Sequence, residues 1–509
     1  MQTFLVSFSS LLTFMFLLYG INHYYLLYYA SKYHTPPLPE TTDDDPTVSI
    51  HLPIYNECYV VGRLIHACAA MAEAYGKESV NIKILDDSTD DTSPEIDQLT
   101  AQYQAQGINI EVLRRPNRNG FKAGALQAAL AKTKEDFIAV FDADFIPSAD
   151  FLLRTMPYFS GDEHVGIVQS RWSHLNRDYN LLTRAIAIGI DVHFFVEQPG
   201  RYQAGLFQNF NGSGGVLRKS AIIAAGGWQS DTLAEDLDLS YRMQTLGYKV
   251  LYLKDLPTPG EVPPSIPGYK KQQGRWANGS LRTARKLLPI IRNPNLSFKI
   301  RLEALIHLTS YFLQPLMLLS FLLACSATLL RANDVASANL PQALTFGIGP
   351  FNLAGARNFG LIAGVASFLI IGFSSLAPTV SVLVSMKEQN LPILKNLGTL
   401  LITFFLGFGN SLSNSIEAGK GLLTRRRWDF IRTPKYADLH QGQQIRQKKY
   451  QVPLDSTWAL ELGMTLLGAA SVRAAILSNN FGALGILIPY TAAYLFVFLL
   501  TLFQSRRES

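Results

Sequence analysis

The chain has 509 residues, of which 48% are hydrophobic and only 17% are charged. This length and composition fit a large soluble domain combined with several membrane spans. The three cysteines form no CxxC pair, which excludes a disulfide framework and indicates reduced thiols on a cytoplasm-facing protein. The net charge of +6 is modest, and the basic residues cluster beside apolar segments. This placement favours contact with anionic membrane lipids over nucleic-acid binding.

A near-continuous apolar run rich in Phe, Leu and Tyr occupies residues 4–30 and is long enough to span a bilayer. A cleaved signal peptide is the competing interpretation. The length of the run and the lack of a basic residue before it argue against a signal peptide. The first positive charge, Lys32, follows the run, so the positive-inside rule places the next segment in the cytoplasm. We therefore expect an N-terminal transmembrane helix at residues 1–34.

Strand-like and helix-like segments alternate across residues 35–260, after a short linker rich in Pro and Asp. The strand-like runs are Val48–Ile54, Val80–Leu85, Ile108–Leu113, Phe137–Phe141 and Val165–Gln169. Helical patterns such as Tyr59–Ala74 and Ala123–Ala131 lie between these runs. The alternation predicts an α/β domain with a parallel sheet and helices on both faces. The domain lacks an apolar run of about 20 residues, so we expect it to be soluble.

Beyond residue 260 the pattern indicates association with a membrane. Basic and aromatic residues at 261–301 suggest interfacial helices, and apolar runs predict two spans within 302–390 and two more within 457–509. Residues 391–424 are apolar but interrupted by Gly, Asn and Ser, and a basic loop at 425–456 follows. Residues 425–449 of this loop carry eight Lys or Arg against two Asp. The positive-inside rule keeps this charge in the cytoplasm if 391–424 is interfacial or re-entrant, which gives five spans in all.

Two carboxylates, Asp142 and Asp144, follow the apolar run that ends at Phe141. Open α/β sheets bind ligands at the carboxyl ends of their strands. A hard divalent cation is commonly held there by one or two carboxylates together with phosphate oxygens. This pair alone is a weak signal, because a solvated turn after a strand gives the same pattern. It gains weight from the other polar clusters of the chain.

Three clusters suit a phosphorylated ligand. Asp86 and Asp87 follow a predicted strand, where they could bond a nucleoside or cap the next helix. Lys122 lies at a helix start that suits a diphosphate, although the GxxxxGK[ST] spacing is missing and an ordinary helix start with a surface lysine is the alternative. The Gly-rich bend at Asn211–Gly215 would let the backbone approach a ligand closely, and a plain loop is the alternative.

Two further clusters suit catalysis and sugar binding. Leucines flank Glu235 and Asp236, which indicates burial, and a buried carboxylate is suited to act as a base. The alternative is a helix start with acidic residues in its first turn. Gln272, Arg275 and Trp276 combine an amide, a guanidinium suited to phosphate and a flat ring suited to a sugar. An interfacial anchor would explain the last two residues but not the glutamine.

The ordered set of motifs resembles that of family 2 glycosyltransferases with a GT-A fold: Asp86-Asp87, Asp142-x-Asp144, Glu235-Asp236 and Gln272-x-x-Arg275-Trp276. The membrane-embedded subgroup is similar, namely cellulose synthases, cellulose-synthase-like mannan and glucan synthases, and hyaluronan synthases. The resemblance covers residues 47–290. Ala234, where cellulose synthases have Thr, brings the chain closer to the mannan and glucan branch. The resemblance implies a Rossmann-like nucleotide-sugar-binding domain in the cytoplasm joined to an α-helical transmembrane domain.

The resemblance also implies roles for the matching residues. Substrate-binding roles fall on Pro53, Tyr55, Glu57, Asp86, Asp87, Lys122, Asp142, Glu235, Gln272, Arg275 and Trp276. The first three would line the base, which Asp86 would bond, and Trp276 would stack on the acceptor sugar. Asp144 would hold Mg²⁺ or Mn²⁺ on the diphosphate, and Asp236 would be the general base.

A further resemblance lies in the basic loop. Phe430, Thr433 and Lys435 match the Phe-x-Val-Thr-x-Lys gating loop that covers the donor pocket in cellulose synthases. Arg432 stands where that family has Val. The resemblance implies a gating loop in the cytoplasm, after the interfacial helix.

These features predict an inverting glycosyltransferase that moves a sugar from a UDP- or GDP-sugar to a growing β-linked polysaccharide of glucan or mannan type, with export. Transfer of one sugar to a membrane lipid acceptor is the alternative. A transporter with a nucleotide-binding domain ranks lower, because the spans carry few charges and a Walker A motif is missing. We expect a multi-pass protein of a bacterial inner or plasma membrane, without a nucleic-acid partner. Export or regulatory subunits would be separate chains.

Overall fold

The computed structural model describes residues 2–39, 46–338, 359–424, 433, 435–437 and 457–505. Seven strands form one sheet: β1 (Val48–Ile54), β2 (Val80–Asp86), β3 (Ile110–Arg114), β4 (Phe137–Val140), β5 (Val165–His174), β6 (Gly215–Arg218) and β7 (Lys249–Gly260). The helices up to residue 245 are α1 (Gln2–Ala30), α2 (Val61–Tyr75), α3 (Thr92–Ala105), α4 (Phe121–Leu130), α5 (Phe151–Thr155), α6 (Leu181–Val192), α7 (Gln198–Gln203), α8 (Lys219–Ala224) and α9 (Glu235–Thr245). Those that follow are α10 (Ile266–Ile291), α11 (Phe298–Leu308), α12 (Leu313–Ala338), α13 (Phe359–Glu388), α14 (Leu397–Gly409), α15 (Ser411–Leu423), α16 (Trp458–Leu477) and α17 (Phe481–Ser505).

The sheet is mixed, with the strand order β3-β2-β1-β4-β6-β5-β7. Strands β1 to β4 pair in parallel, as do β5 and β7, but β6 runs antiparallel to both of its neighbours. The expectation of a purely parallel sheet is therefore wrong in this half. The reason lies in the Gly-rich bend before β6, from which a four-residue strand returns between β4 and β5. So short a strand leaves no clear periodic pattern in the sequence.

Strand β7 is a second departure from the expected pattern. Its sequence contains Pro257 and Pro259, and the Pro-rich start of the segment after residue 254 was not predicted to be a strand. Proline cannot donate to a sheet ladder, so it is tolerated mainly on edge strands. β7 is an edge strand, with its one partner, β5, on the other side. This position brings Gly260 and Glu261 to the sheet edge where β1 and β4 also end.

Helices cover both faces of the sheet, as the alternating pattern predicts. One apolar layer joins the strands to α2 and α3, and it contains Leu64, Ile96 and Ala139. The layer on the opposite face joins them to α4 and α9, and it contains Leu126 and Ile138. Neighbouring residues of β4 therefore point to opposite faces, as expected for an extended strand. Both faces are closed, so a ligand has access only at the ends of the strands.

Four helices among the described residues are long and apolar enough to cross a membrane: Leu11–Ala30, Ser310–Asn333, Trp458–Leu477 and Phe481–Gln504. Helix α13 has 30 residues and lies where the sequence predicts the remaining span. The architecture is thus a GT-A-like α/β domain joined to an α-helical membrane region.

The segment at 391–424 is broken in two. Helices α14 and α15 have 13 residues each and are separated at Asn410. Each is about 20 Å long, shorter than the roughly 30 Å hydrocarbon core of a bilayer. The two helices pack against different partners, α14 against α6 and α17, and α15 along α10. That this segment does not cross the membrane stays a prediction.

Helix α10 connects the α/β domain to the membrane helices. Lys270 of α10 donates to Glu461 of α16 over 2.5 Å, and the two side chains are 1% and 0% exposed. A buried pair of this kind fixes register, because a shift of either helix would leave an unpaired charge. The pair therefore holds the residues of α10 in a defined position relative to the membrane region.

Candidate active site

A cavity of about 460 Å³ opens at the carboxyl ends of β1, β2 and β4. One end is lined by Pro53, Tyr55, Glu57, Asp87 and Arg118, and the centre by Lys122, Asp142, Asp144, Glu235 and Asp236. The far wall carries Gln272, Arg275 and Trp276 of α10, together with Thr433 and Lys435. Of the described residues that the sequence nominated, the structure brings all but Asp86 to this cavity. Phe430 lies outside the described residues.

Asp142 and Asp144 leave the end of β4 and each meets an ammonium group. Asp142 Oδ1 lies 2.6 Å from Nζ of Lys122, and Asp144 Oδ2 lies 2.5 Å from Nζ of Lys435. The backbone N–H of Asp142 donates to Ser213 Oγ over 3.0 Å, which ties β4 to the Gly-rich bend. Each of these two carboxylates is therefore already paired with a positive charge.

Lys122 joins three separate segments at the cavity centre. It lies in the first turn of α4, after Gly120, which has a left-handed backbone with φ of 74°. Its Nζ donates to the Gly212 carbonyl over 2.8 Å and lies 3.9 Å from Glu235 Oε1. Burial opposes the charged ammonium, but the neighbouring carboxylates outweigh that effect and raise the pKa of Lys122. The lysine is thus a firmly held cation.

Asp236 lies in the first turn of α9, and its Oδ1 accepts the backbone N–H of Leu237 over 2.8 Å. Gly212 packs directly against its other oxygen: a Cβ on Gly212 would lie 2.6 Å from Asp236 Oδ2. Burial raises the pKa of Asp236 to about 7, and the charge of Glu235 contributes to the rise. A carboxylate with a pKa near the working pH suits general base catalysis.

The two carboxylates of the Asp-Asp motif have different surroundings. Asp86 is 3% exposed and accepts bonds from Ser88, Ser93 and Arg114 at 2.7–2.9 Å. It holds β2, α3 and β3 together, and the structure does not place it at the cavity. Asp87 faces the cavity, so only the second carboxylate of the motif is placed to contact a ligand.

Arg115 contacts the Asp-Asp motif but was not among the residues predicted from the sequence. Its guanidinium makes a two-pronged contact with Asp87, at 3.0 and 2.5 Å, and also donates to the carbonyls of Asn119 and Phe121. It thereby fixes the turn that leads into α4. The signal was available, because Arg115 follows β3 directly and β3 ends at the same sheet edge as the other ligand-binding residues.

At the end of the cavity that Pro53 lines, a guanidinium covers a half-buried aromatic ring. The guanidinium of Arg118 lies 3.3 Å from the centre of the Tyr55 ring. Stacking of this kind gives a flat surface of suitable size for a planar base. Pro53 and Glu57 lie on the same wall.

On α10, Gln272, Arg275 and Trp276 share one face because their spacing is three and four residues. Gln272 is 7% exposed, and its Oε1 finds no hydrogen-bond partner within the described parts of the chain. Burial lowers the pKa of Arg275, whereas the charges of Asp142, Glu235 and Asp144 oppose that shift. The guanidinium thus faces the carboxylates across the cavity.

Glu261 is the second residue that the sequence reading missed. It is 6% exposed and accepts bonds from Arg63 over 2.5 Å and from the backbone N–H of Tyr436 over 3.0 Å. Its carbonyl also accepts from Lys435 over 3.3 Å. Burial raises the pKa of Glu261, and the charge of Arg63 opposes the rise. Glu261 therefore anchors the residues that bring Lys435 to Asp144. Its isolated position after a Pro-rich run gave no sequence signal.

Among the described residues, no group of three or more His, Cys, Asp or Glu side chains could hold a metal ion by itself. The cavity is lined by side chains of both charges. Four carboxylates and the Lys122 ammonium group line its centre, and Lys435, the Arg275 guanidinium and the Trp276 indole lie on the far wall. Such an arrangement suits a polyanionic ligand that also carries hydroxyl groups.

Comparisons with known proteins identify relatives of the segment that carries most of this cavity. Residues 46–279 match the family model described as glycosyltransferase like family 2. A probable glucomannan 4-beta-mannosyltransferase of Arabidopsis thaliana is 41% identical over 260 residues, which are 50% of this chain and 47% of that protein. A second one, from Oryza sativa subsp. japonica, is 39% identical over 257 residues, with 50% and 44% covered. The chain thus spans about half the length of the curated relatives it matches.

A mannosyltransferase from Pyrobaculum calidifontis, solved in complex with GDP-Man and Mn²⁺, has 19% identity and a TM-score of 0.48. The match covers 74% of this chain and 99% of that one. The family model covers the residues that line the cavity from Pro53 to Trp276. The domain at residues 46–279 is a member of the family 2 glycosyltransferases.

Proposed function

We propose that the protein transfers a hexose from a nucleotide-diphosphate donor to a growing β-linked polysaccharide, with inversion at the anomeric carbon. One observation carries this proposal: Asp144, Lys122, Asp236, Arg275 and Trp276 come from distant parts of the chain and line a single cavity. The relatives named glucomannan 4-beta-mannosyltransferases support a mannan or glucomannan product and transfer of a mannosyl group.

We assign separate roles in this reaction to the residues that line the cavity. Asp236 takes the proton from an acceptor hydroxyl as that oxygen attacks the anomeric carbon, and a pKa of about 7 suits this task. Lys122 and Arg275 face the leaving diphosphate and stabilise the charge that develops on it. Because Lys122 is fixed by Asp142 and by the Gly212 carbonyl, little reorganisation of this cation is needed during the reaction.

The residues present fit a divalent cation. Asp142 and Asp144 each hold an ammonium group, which stands in for a positive ion at that position. Two carboxylates with substrate phosphate oxygens are a usual set of ligands for Mg²⁺ or Mn²⁺. We propose that Asp144, helped by Asp142, holds such an ion, which would neutralise charge on the leaving diphosphate.

The acceptor side lies next to the membrane helices. Trp276 offers a flat, half-buried ring on α10, and α10 packs along α15 and against α17. A polymer held on Trp276 would therefore grow toward the membrane region, which supports export through the spans. The catalytic domain would face the cytoplasm, where nucleotide sugars are made. The relatives reported above are plant proteins, and they give no support to a bacterial inner membrane.

The test is a donor screen of the purified protein. GDP-mannose, UDP-glucose and related donors are supplied with Mg²⁺ or Mn²⁺ and with soluble β-linked oligosaccharides, and the products are analysed for length and linkage. We expect products that grow by successive β-linked hexoses and that disappear in Asp236→Asn. A lipid-extractable adduct of one sugar would instead identify a lipid acceptor, and no sugar transfer from any donor would contradict the proposal.

A further inference from the structure

Asn211 lines the cavity, and the two ends of its side-chain amide differ. The oxygen has two hydrogen-bond partners, whereas the nitrogen has none among the described residues. The Oδ1 of Asn211 accepts Nδ2 of Asn209 over 2.8 Å and lies 2.9 Å from Nε2 of His193. Its Nδ2 is shielded from solvent and has no hydrogen-bond partner in the described parts of the chain. An amide nitrogen carries two N–H donors, and a buried donor without an acceptor is costly. The free N–H groups therefore indicate a missing acceptor.

The position of Asn211 indicates which ligand supplies that acceptor. Asn211 lines the cavity and directly precedes Gly212, which packs on the Asp236 carboxylate. The Gly212 carbonyl in turn accepts from Lys122 over 2.8 Å. Asn211 is thus next to the group that would take the proton from the acceptor hydroxyl. The diphosphate would lie on the other side, between Asp144 and Arg275.

The orientation of the Asn211 amide is fixed from behind. His193 begins a single π-helical turn, His193–Glu197, inserted between α6 and α7. Its Nδ1 lies 2.8 Å from Glu197 Oε2 and its Nε2 faces Asn211 Oδ1, so the ring donates to both oxygens when it carries a proton on each nitrogen. Turning the amide over would set its NH₂ group against the NH₂ group of Asn209. The inserted turn therefore holds the His193 ring against Asn211 Oδ1, so that the Nδ2 donors of Asn211 point away from the ring. Turns of this kind are frequent at functional sites.

Glu197 is itself firmly held. Burial alone would raise the pKa of its carboxyl, but the hydrogen bond from His193 and the nearby charges of His193, His23 and Arg201 hold that pKa below its usual range. An ionised Glu197 fixes the side of the His193 ring that faces it. Since α1 contacts this turn, the arrangement is braced by the first membrane helix.

We propose that the Asn211 side-chain amide donates a hydrogen bond to a hydroxyl oxygen of the acceptor saccharide beside its attacking hydroxyl, and that His193, braced by Glu197, is a positioning residue for that amide. This inference rests on the proposed function and deepens it, because it assigns recognition of the acceptor sugar. A site built to bond a hydroxyl discriminates against an acceptor without it, since the amide is then left unpaired.

The test measures the acceptor and the donor separately in Asn211→Ala. We expect the KM for a soluble β-linked oligosaccharide to rise about 10- to 100-fold, while the Kd for the nucleoside diphosphate and the rate of donor hydrolysis by water stay unchanged. The matched control is Asn81→Ala. Asn81 is a half-buried asparagine at the amino end of β2 whose Oδ1 also lacks a partner among the described residues. It should leave every parameter unchanged.

Two substitutions of His193 separate positioning from general stability. In His193→Gln the side-chain amide can still donate to Asn211 Oδ1, whereas in His193→Phe it cannot. We expect the phenylalanine variant to raise the acceptor KM and the glutamine variant to recover most of the loss, with equal diphosphate binding in both. A mere loss of packing would not follow this order.

The inference is overturned if Asn211→Ala keeps the acceptor KM, or if it raises the donor KM instead, which would place the bond on the transferred sugar. It is equally overturned if the two His193 variants lose acceptor affinity alike. Wild-type protein that transfers no sugar at all would instead overturn the proposed function, and this inference with it.

Discussion

Lys435 Nζ lies 2.5 Å from Asp144 Oδ2, so a lysine takes the carboxylate that we assign to the divalent cation. Glu261 holds Lys435 in place in two ways. Its backbone carbonyl accepts from the lysine, and its carboxylate accepts the backbone N–H of the next residue, Tyr436. The ammonium and a divalent ion both need the same oxygen, and like charges at that distance repel. The cation and Lys435 should therefore compete for Asp144.

This competition gives the first prediction. Replacing Lys435 with Ala removes the competing charge, so half-maximal activity should be reached at a lower Mn²⁺ concentration. The measurement is a titration of sugar-transfer rate against Mn²⁺, with Lys77→Ala as the control, because Lys77 makes only surface contacts, with Glu73 and with the carbonyl of Gln106. An unchanged or higher Mn²⁺ requirement would contradict the assignment of Asp144 to the metal.

The second prediction concerns Asp236 as the base. Asp236→Asn keeps the size of the side chain but removes proton acceptance, so the rate should fall by roughly 10²–10⁴-fold. In the wild type, kcat/KM should rise with pH through about 7, because the base acts only when it has lost its proton. Isothermal titration should show that the nucleoside diphosphate still binds. A variant that retains transfer would show that the base lies elsewhere.

The third prediction follows from the neighbour of the base. The negative charge of Glu235 disfavours a second negative charge on Asp236 and so helps to raise its pKa. In Glu235→Gln that charge is gone, so the pKa of Asp236 should fall and the acid limb of the pH profile should move to lower pH. The quantity to compare is the pH at the midpoint of the acid limb, which does not depend on the absolute rate. A shift to higher pH would mean that another group controls the limb.

The fourth prediction concerns Gly212. A methyl group at this position would lie 2.6 Å from Asp236 Oδ2 and 3.3 Å from Lys122 Nζ, and the backbone φ of 81° disfavours any side chain. We expect Gly212→Ala to lose most transfer activity, because it displaces the base and its neighbouring cation together. Gly205→Ala is a control with a similar φ of 64° and open space around it. Comparable activity in the two variants would contradict the close approach described here.

The fifth prediction concerns the junction with the membrane helices. Lys270→Met leaves the Glu461 carboxylate buried and unpaired, which should cost about 3–5 kcal/mol of stability. Thermal unfolding in detergent should show a lower Tm for this variant. The double variant Lys270→Met with Glu461→Leu should recover most of the loss, because no charge is then left alone. Equal Tm values for the wild type and the single variant would rule out a structural role for the pair.

Much of the α/β domain could be predicted because its signals are local. The strands from Val48–Ile54 to Phe137–Val140 are apolar runs bounded by polar turns, and the carboxylates follow them directly. Strand β6 escaped because only two of its four residues, Val216 and Leu217, are apolar. Strand β7 escaped because its prolines disfavour a central strand but are tolerated at an edge.

The candidate site was predictable as a set of motifs but not as a set of contacts. Sequence order placed Asp144 and Asp236 in the site, since each lies in a recognisable motif. It could not separate Asp86 from Asp87, because adjacent residues at a strand end point to opposite sides. Nor could it find Glu261 or His193, whose roles depend on neighbours that are far away in the chain.

The most direct measurement of the central claim is an experimental structure of the Asp236→Asn variant with a nucleotide-sugar donor and Mn²⁺. We expect the diphosphate between Asp144 and Arg275, the base against Tyr55, the sugar facing residue 236, and Lys435 withdrawn from Asp144. A diphosphate bound away from Asp144 and Arg275, or a sugar turned away from residue 236, would contradict the claim.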